Sequence, residues 1–218
     1  MTDDSLFREV DEEVRQDELK KLWQRHGTKL TTLIVAVVAA VAAWKGFQYY
    51  QLKQAEASSV AYFDAAKKAA DGKQDDALAA FAAINHPGFK QLARLREAGL
   101  AAAKGETDKA VKLYETLASE AGTDPAIADA AQIRAGYMLV DTATPDQLLT
   151  RLGKYDTETS IWRNSAREIF GLAAWRTNDY VMASRYMTAI FADPQATQPM
   201  RQRAQAILQL IAPNLPKP

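Results

Sequence analysis

The sequence predicts an all-α chain in which one apolar helix, long enough to cross a membrane, precedes a solenoid of antiparallel helix pairs. Three observations carry that expectation. Alanine is abundant and runs of alternating polarity are scarce, so helix propensity outweighs strand propensity almost everywhere. Residues 30–44 (LTTLIVAVVAAVAAW) hold no charged side chain, and Lys45 is the only charge before Leu52. A pattern of glycine, alanine and an aromatic residue, G-x4-A-x3-aromatic, occurs at Gly72, Ala77 and Phe81 and again, with the same internal spacing, at Gly105, Ala110 and Tyr114.

The apolar run sets the organisation of the chain. Read as one helix, Leu30 to Tyr50 is about 20 residues rising roughly 1.5 Å each, which matches a hydrocarbon thickness of about 30 Å. Trp44, Phe47, Tyr49 and Tyr50 cluster around Lys45 as an interfacial aromatic belt does, and the lysine stem is long enough to carry its ammonium to the headgroups. A buried core helix and a cleaved signal peptide ending near Ala40 to Ala43 are the competing readings. Soluble core helices rarely run this far without charge, and a secretory n-region is short and basic, whereas residues 1–29 hold eight acids (Asp3, Asp4, Glu9, Asp11, Glu12, Glu13, Asp17, Glu18). A retained anchor fits best. Lys20, Lys21, Arg25 and Lys29 precede the run, against Lys45 and Lys53 after it, so the N-terminus is expected in the cytoplasm. The expected domains are a charged amphipathic cytoplasmic tail (1–29), a transmembrane helix (30–52) and a periplasmic helical repeat domain (53–218). In the tail, Leu6, Phe7, Val10 and Val14, then Leu19, Leu22 and Trp23, are separated by charges at a helical, amphipathic spacing, suited to lying at the interface or to docking a partner.

Beyond Gln54, turn signals divide the chain into segments of helical length. They are Asp71-Gly72, Asn85-His86-Pro87-Gly88, Lys104-Gly105, Gly122-Thr123-Asp124-Pro125, Thr144-Pro145, Asn178-Asp179 and Asp193-Pro194. Roughly nine helices are expected, with Asp124 and Thr144 as N-caps before a first-turn proline. A third copy of the pattern runs through Asn178, Ala183 and Met187, with Tyr186 next door. Its distance from the second copy is about two periods of the first repeat, which leaves a degenerate unit around Tyr137 to Leu152. The parts divide the packing between them. The glycine or asparagine reverses one helix into the next, the alanine admits close approach, and the aromatic fills the gap one turn on.

This pattern resembles the tetratricopeptide repeat, although Ala98 and Ala101 stand where that repeat has a small residue then an aromatic one, and the tryptophan near its usual start is missing. The order of parts resembles one family more specifically, the YfgM-like ancillary subunits of the bacterial SecYEG translocon. It rests on an acidic-basic tail, one span ending in Trp44-Lys45-Gly46-Phe47-Gln48-Tyr49-Tyr50, and a helical repeat region ending in Ile207 to Leu215. The resemblance implies an inner-membrane protein whose repeat domain meets the translocon, periplasmic chaperones and newly exported chains. A scaffold of envelope assembly or cell division would share the same architecture.

Composition and motifs argue against catalysis. The chain has 218 residues, 27 basic and 27 acidic, so no broad positive field invites nucleic acid. It has no cysteine, and its two histidines, His26 and His86, fall on opposite sides of the apolar run. There is no nucleophile-elbow, phosphate-loop or dinucleotide motif. We therefore expect no cofactor, no metal, no small-molecule substrate and no enzymatic activity. His86 reads as a solvated loop residue, and Asp75, Asp76, Glu115 and Glu168 read as a solvated charged face. The candidate partner-binding residues are Trp162, Arg163, Arg167, Trp175 and Arg176, large rings and forked cations on one expected helix. Residues 162 and 175 are roughly 140° apart on a helix and so do not share a face.

Overall fold

The computed structural model describes residues 3–216, with the side chains of residues 3–19, 21 and 22 outside the described set. Among the described residues there are nine α-helices and no strands: α1 (Asp3–Ala70), α2 (Gln74–Ala82), α3 (Pro87–Ala103), α4 (Thr107–Ser119), α5 (Pro125–Leu139), α6 (Pro145–Leu152), α7 (Arg163–Arg176), α8 (Tyr180–Ala192) and α9 (Gln198–Ile211). The chain divides into two compact units, Met1–Glu56 and Ala57–Pro218.

In the first unit, the tail and the apolar run belong to one unbroken helix rather than two. Gly27 is the natural breaking point, yet no proline or turn residue accompanies it. Thr31 and Thr32 instead donate their hydroxyls back to the carbonyls of Gly27 (2.5 Å) and Thr28 (2.8 Å), inside the helical ladder. The tail's apolar positions Leu6, Phe7, Val10, Val14, Leu19 and Leu22 lie outside the described side chains. The helix contains one stretch long and apolar enough to cross a membrane, and none of that stretch is buried. Leu33, Ile34, Val35, Val37, Val38 and Val41 are each more than half exposed. An apolar face this large and uncovered needs a nonaqueous neighbour.

The second unit is a stack of helix pairs. Residues 57–70 pair with α2, α3 with α4, α5 with α6 and α7 with α8, and α9 follows. Each second helix from α2 onward packs on the first helix of the next pair, while α3, α5, α7 and α9 touch in succession. The turns of three pairs pass through a left-handed residue at Gly72, Gly105 and Asn178, with φ of 79°, 78° and 63°. Asparagine tolerates that region where most side chains do not. One helical turn or so beyond each of these residues comes a fully buried alanine (Ala77, Ala110, Ala183), and one turn further a buried large side chain (Phe81, Tyr114, Met187). The expected pattern is thus the core of the stack.

The degenerate third unit follows the same register around Ala143, with Leu148 and Leu152 both buried at the corresponding places. Its turn has no left-handed residue. The Thr144 side chain accepts from the Gln147 amide while the Gln147 side chain accepts from the Thr144 amide, a reciprocal cap that starts α6 without a glycine. Asp124 caps α5 by accepting from the Ala126 amide. His86 also caps a helix: its Nδ1 accepts from the Gly88 amide at 3.2 Å, at the start of α3.

A small residue in each first helix meets the large residue of its second helix. Gly136 faces Leu152 and Gly171 faces Met187, each so closely that an added Cβ would lie 2.5 Å from the opposing side chain. Ala65 with Phe81, and Ala98 with Tyr114, share a core cluster in the same way. At Gly136 two buried side chains, Leu152 and Ile169, would stand within 3.0 Å of the added Cβ. We therefore expect Gly136→Ala to destabilise the fold by about 1–3 kcal/mol through overpacking. Gly171→Ala should cost less, because there only one atom, the terminal methyl of the flexible Met187 side chain, stands within 3.0 Å of the added Cβ. Thermal unfolding of the two variants followed by circular dichroism checks the order.

Candidate functional site

The five candidate residues do lie together at α7, but they face different neighbours. Trp162 is the residue before the helix and packs half-buried against the cluster shared by α5, α6 and α7. Trp175, at the other end, packs half-buried against the separate cluster of α7, α8 and α9. The two rings do not form one surface.

The arginines are engaged inside the chain. Arg163 grips the Asp193 carboxylate with two bonds, Nε to Oδ2 at 2.5 Å and a terminal nitrogen to Oδ1 at 2.7 Å, and also donates to the Glu158 carbonyl. Arg167 donates to Asp156 at 2.6 Å and lies 3.7 Å from Asp193. Arg176 donates to the carbonyls of Val140 (2.8 Å) and Ala143 (2.5 Å), covering the C-terminal end of α5. Forked donors of this kind fix the geometry between pairs of helices.

The Asp193 arrangement has an exposed counterpart two repeats earlier. Lys90 lies 3.8 Å from Glu120, and Arg94 also pairs with Glu120. Lys90 and Arg163, Arg94 and Arg167, and Glu120 and Asp193 all stand at one common offset, the offset that separates Gly105 from Asn178. Two cations on a first helix thus hold the acid that leaves the following second helix. The Asp193 side chain is 5% exposed and that of Glu120 is 38%, so the first clasp is desolvated and the second is not. Asn164 adds a bond of 3.1 Å to Asp193.

Glu168 corrects the expectation of a solvated charged face. It is 4% exposed and lies where consecutive first helices meet, accepting from Tyr137 of α5 at 2.6 Å and from Arg203 of α9 at 2.6 and 3.1 Å. Burial first, and then the bond to Glu168, push the Tyr137 phenol well above its ordinary value. Glu115 is likewise paired, with Arg151. Asp75 pairs with Lys104, whose hydrogen bond lowers its pKa. Among the described residues no three histidine or carboxylate side chains gather as a metal site. Two grooves open between successive second helices. One of about 270 Å³ is floored by Phe81, Ile84 and Leu117 and rimmed by Lys90 and Arg94. The other, of about 160 Å³, lies beside Gly136 under the Arg151–Glu115 pair.

Arg134 differs from the other arginines of the candidate region. It sits one turn before Tyr137 on α5, is exposed, and makes no hydrogen bond or ion pair among the described residues. Ile161, 84% exposed beside Trp162, and Leu210, 60% exposed on α9, are uncovered apolar side chains. Nothing in the hydrophobic pattern singles these out, because exposure depends on which helix packs where.

The hydrogen bond to Arg163 holds the Asp193 carboxyl well below the usual carboxylate range, with further help from the Gln195 amide and Asn164. A lowered folded pKa contributes stability that is complete above the unfolded value of about 3.9 and is lost as pH falls below it. Asp193→Ala should therefore cost about 3 kcal/mol at neutral pH by leaving a partnered guanidinium unmatched. The stability gap between wild type and Asp193→Asn should stay constant above about pH 5 and close as pH falls below about 4. Denaturant unfolding at a series of pH values measures both.

Comparison with known proteins agrees with the stacked pairs. No curated protein and no solved structure matches the chain. The family model of the tetratricopeptide repeat-like domain matches residues 20–210, a stretch that takes in the apolar run as well as α2 to α9. With most of its length matched and its helix pairs in register, the chain belongs to the tetratricopeptide repeat-like domain family.

Proposed function

We propose that this protein is a membrane-tethered scaffold of the bacterial inner membrane, with its tail in the cytoplasm and its helix pairs in the periplasm. There it holds proteins beside the SecYEG translocon and links newly exported chains to periplasmic chaperones. The observation that carries the scaffold reading is the union in one chain of an uncovered apolar helix stretch and a stack of repeat pairs. Repeat stacks present extended surfaces whose specificity lies in exposed side chains rather than in a catalytic cleft. The order of tail, apolar run and repeats along the chain supports the translocon assignment.

The row of first helices is the binding face in this reading. Arg134 offers a cation with no partner among the described residues, Leu210 an apolar contact, and Trp175 a half-buried ring. Arg163, Arg167 and Arg176 set the spacing of the helices behind that face, and Trp162 with Ile161 forms a separate apolar corner.

A C-terminal alkaline phosphatase fusion should be active and a C-terminal green fluorescent protein fusion dark; the reverse overturns the orientation. Crosslinking in intact membranes, followed by gentle detergent extraction, should recover translocon subunits and periplasmic folding factors with the tagged chain. Recovery of division or outer-envelope proteins alone would keep the scaffold and overturn its placement.

A further inference from the structure

We infer that residues 20–32 of α1 form a collar that selects anionic phospholipid at the N-terminal edge of the span; this rests on the membrane reading above. Lys20, Arg25, His26 and Lys29 are exposed there, and Lys21 adds a further positive charge in the sequence. The last acid before the span is Glu18, and none follows until Glu56. Successive residues turn by about 100°, so Lys20 lies near the face of Trp23 while Arg25 and Lys29 lie on the opposite side. With Lys21, the four cations therefore spread over about half of the circumference, wider than one stripe, and Trp23 lies on the other half. A partner that meets cations over half of a helix and over about two turns of its length, carries negative charge and borders apolar surface just beyond is a layer of acidic lipid headgroups.

The side chains inside the collar suit that boundary. Trp23 is 60% exposed, and its indole lies along Gly27, where an added Cβ would sit 3.1 Å from the ring. Glycine at 27 thus lets the indole lie flat on the backbone, leaning toward the apolar run. Tryptophan prefers this depth because its ring is apolar and its N–H is a donor. Just beyond, Thr31 donates to the Gly27 and Thr28 carbonyls at 2.5 and 3.2 Å, and Thr32 to the Thr28 carbonyl at 2.8 Å. Their hydroxyls enter the hydrocarbon already satisfied. The far end of the span is different: Lys45 and Lys53 are its only cations, and Lys53 pairs with Glu56 at 2.8 Å. Selection for acidic lipid belongs to the N-terminal collar alone.

The test uses the full chain reconstituted in phosphatidylcholine vesicles containing phosphatidylglycerol, with bromine placed on the acyl chains of one lipid or the other at equal mole fraction. Trp44, Trp162 and Trp175 are replaced by phenylalanine so that Trp23 alone emits. Brominated phosphatidylglycerol should quench Trp23 at least about twofold more than brominated phosphatidylcholine, as local enrichment around basic residues demands. R25Q/K29Q should remove the difference while leaving total quenching in place. If the triple replacement unfolds the helix pairs, the difference in emission between wild type and W23F supplies the same readout. Equal quenching by the two lipids overturns the collar. Absence of quenching by either lipid overturns the membrane reading itself.

Discussion

Helix pairs in this chain close only where a small residue of the first helix meets a large residue of the second. The four meetings are Ala65 with Phe81, Ala98 with Tyr114, Gly136 with Leu152 and Gly171 with Met187, and the separation along the chain is identical in every case. That constant spacing matters more than the identity of either residue. Fully burying one such large side chain contributes roughly 1.5–3 kcal/mol, and a small opposing residue is what lets the backbones approach closely enough for it to be covered. The turn residues, the caps and the register of neighbouring pairs all follow from keeping this contact.

Variation within the stack respects the same limit. Where Gly72 and Gly105 supply a left-handed turn, the pair closes on the alanine that follows at Ala77 or Ala110; at Ala143 the turn has no such residue, and Leu148 takes the alanine's place. In this pair α6 is short and is extended through a 3-10 turn at Gly153–Tyr155, and the glycine at 136 in the opposing helix meets Leu152, one turn beyond Leu148. Tyr155 then reaches back to Asp129 and Gln132 at 2.5 and 2.8 Å, tying that extension to α5. Polar ties of this kind, together with the Asp193 clasp and the Tyr137–Glu168–Arg203 chain, set the angle between pairs that the apolar contact leaves open.

Much of this was legible in the sequence, because the turn residue, the alanine and the large residue sit close together and repeat. The helix succession, the N-caps at Asp124 and Thr144 and the displaced third unit follow from local spacing alone. The roles of the charged residues were not legible in the same way. Read one helix at a time, Glu168 looks like solvated surface and Arg163 and Arg167 like cations offered to a partner protein, since the groups they bond lie outside their own helix. A signal did exist: the offset that joins Gly105 to Asn178 also joins Lys90, Arg94 and Glu120 to Arg163, Arg167 and Asp193. Arg134 carries no comparable signal, because its lack of a partner among the described residues is a property of packing. The continuity of α1 through Gly27 was hidden for the opposite reason, since a glycine beside polar residues reads as a break, yet the helix runs on through it.

In the proposed scaffold, other proteins bind the row of first helices, carried on a membrane-anchored chain. A photo-crosslinking amino acid placed at Arg134, on that row, and separately at Lys112, exposed on the second helix α4, tests this in living cells. Discrete crosslinked proteins are predicted from position 134, and few or none from position 112. Equal yields from both positions, or products from position 112 alone, would contradict it.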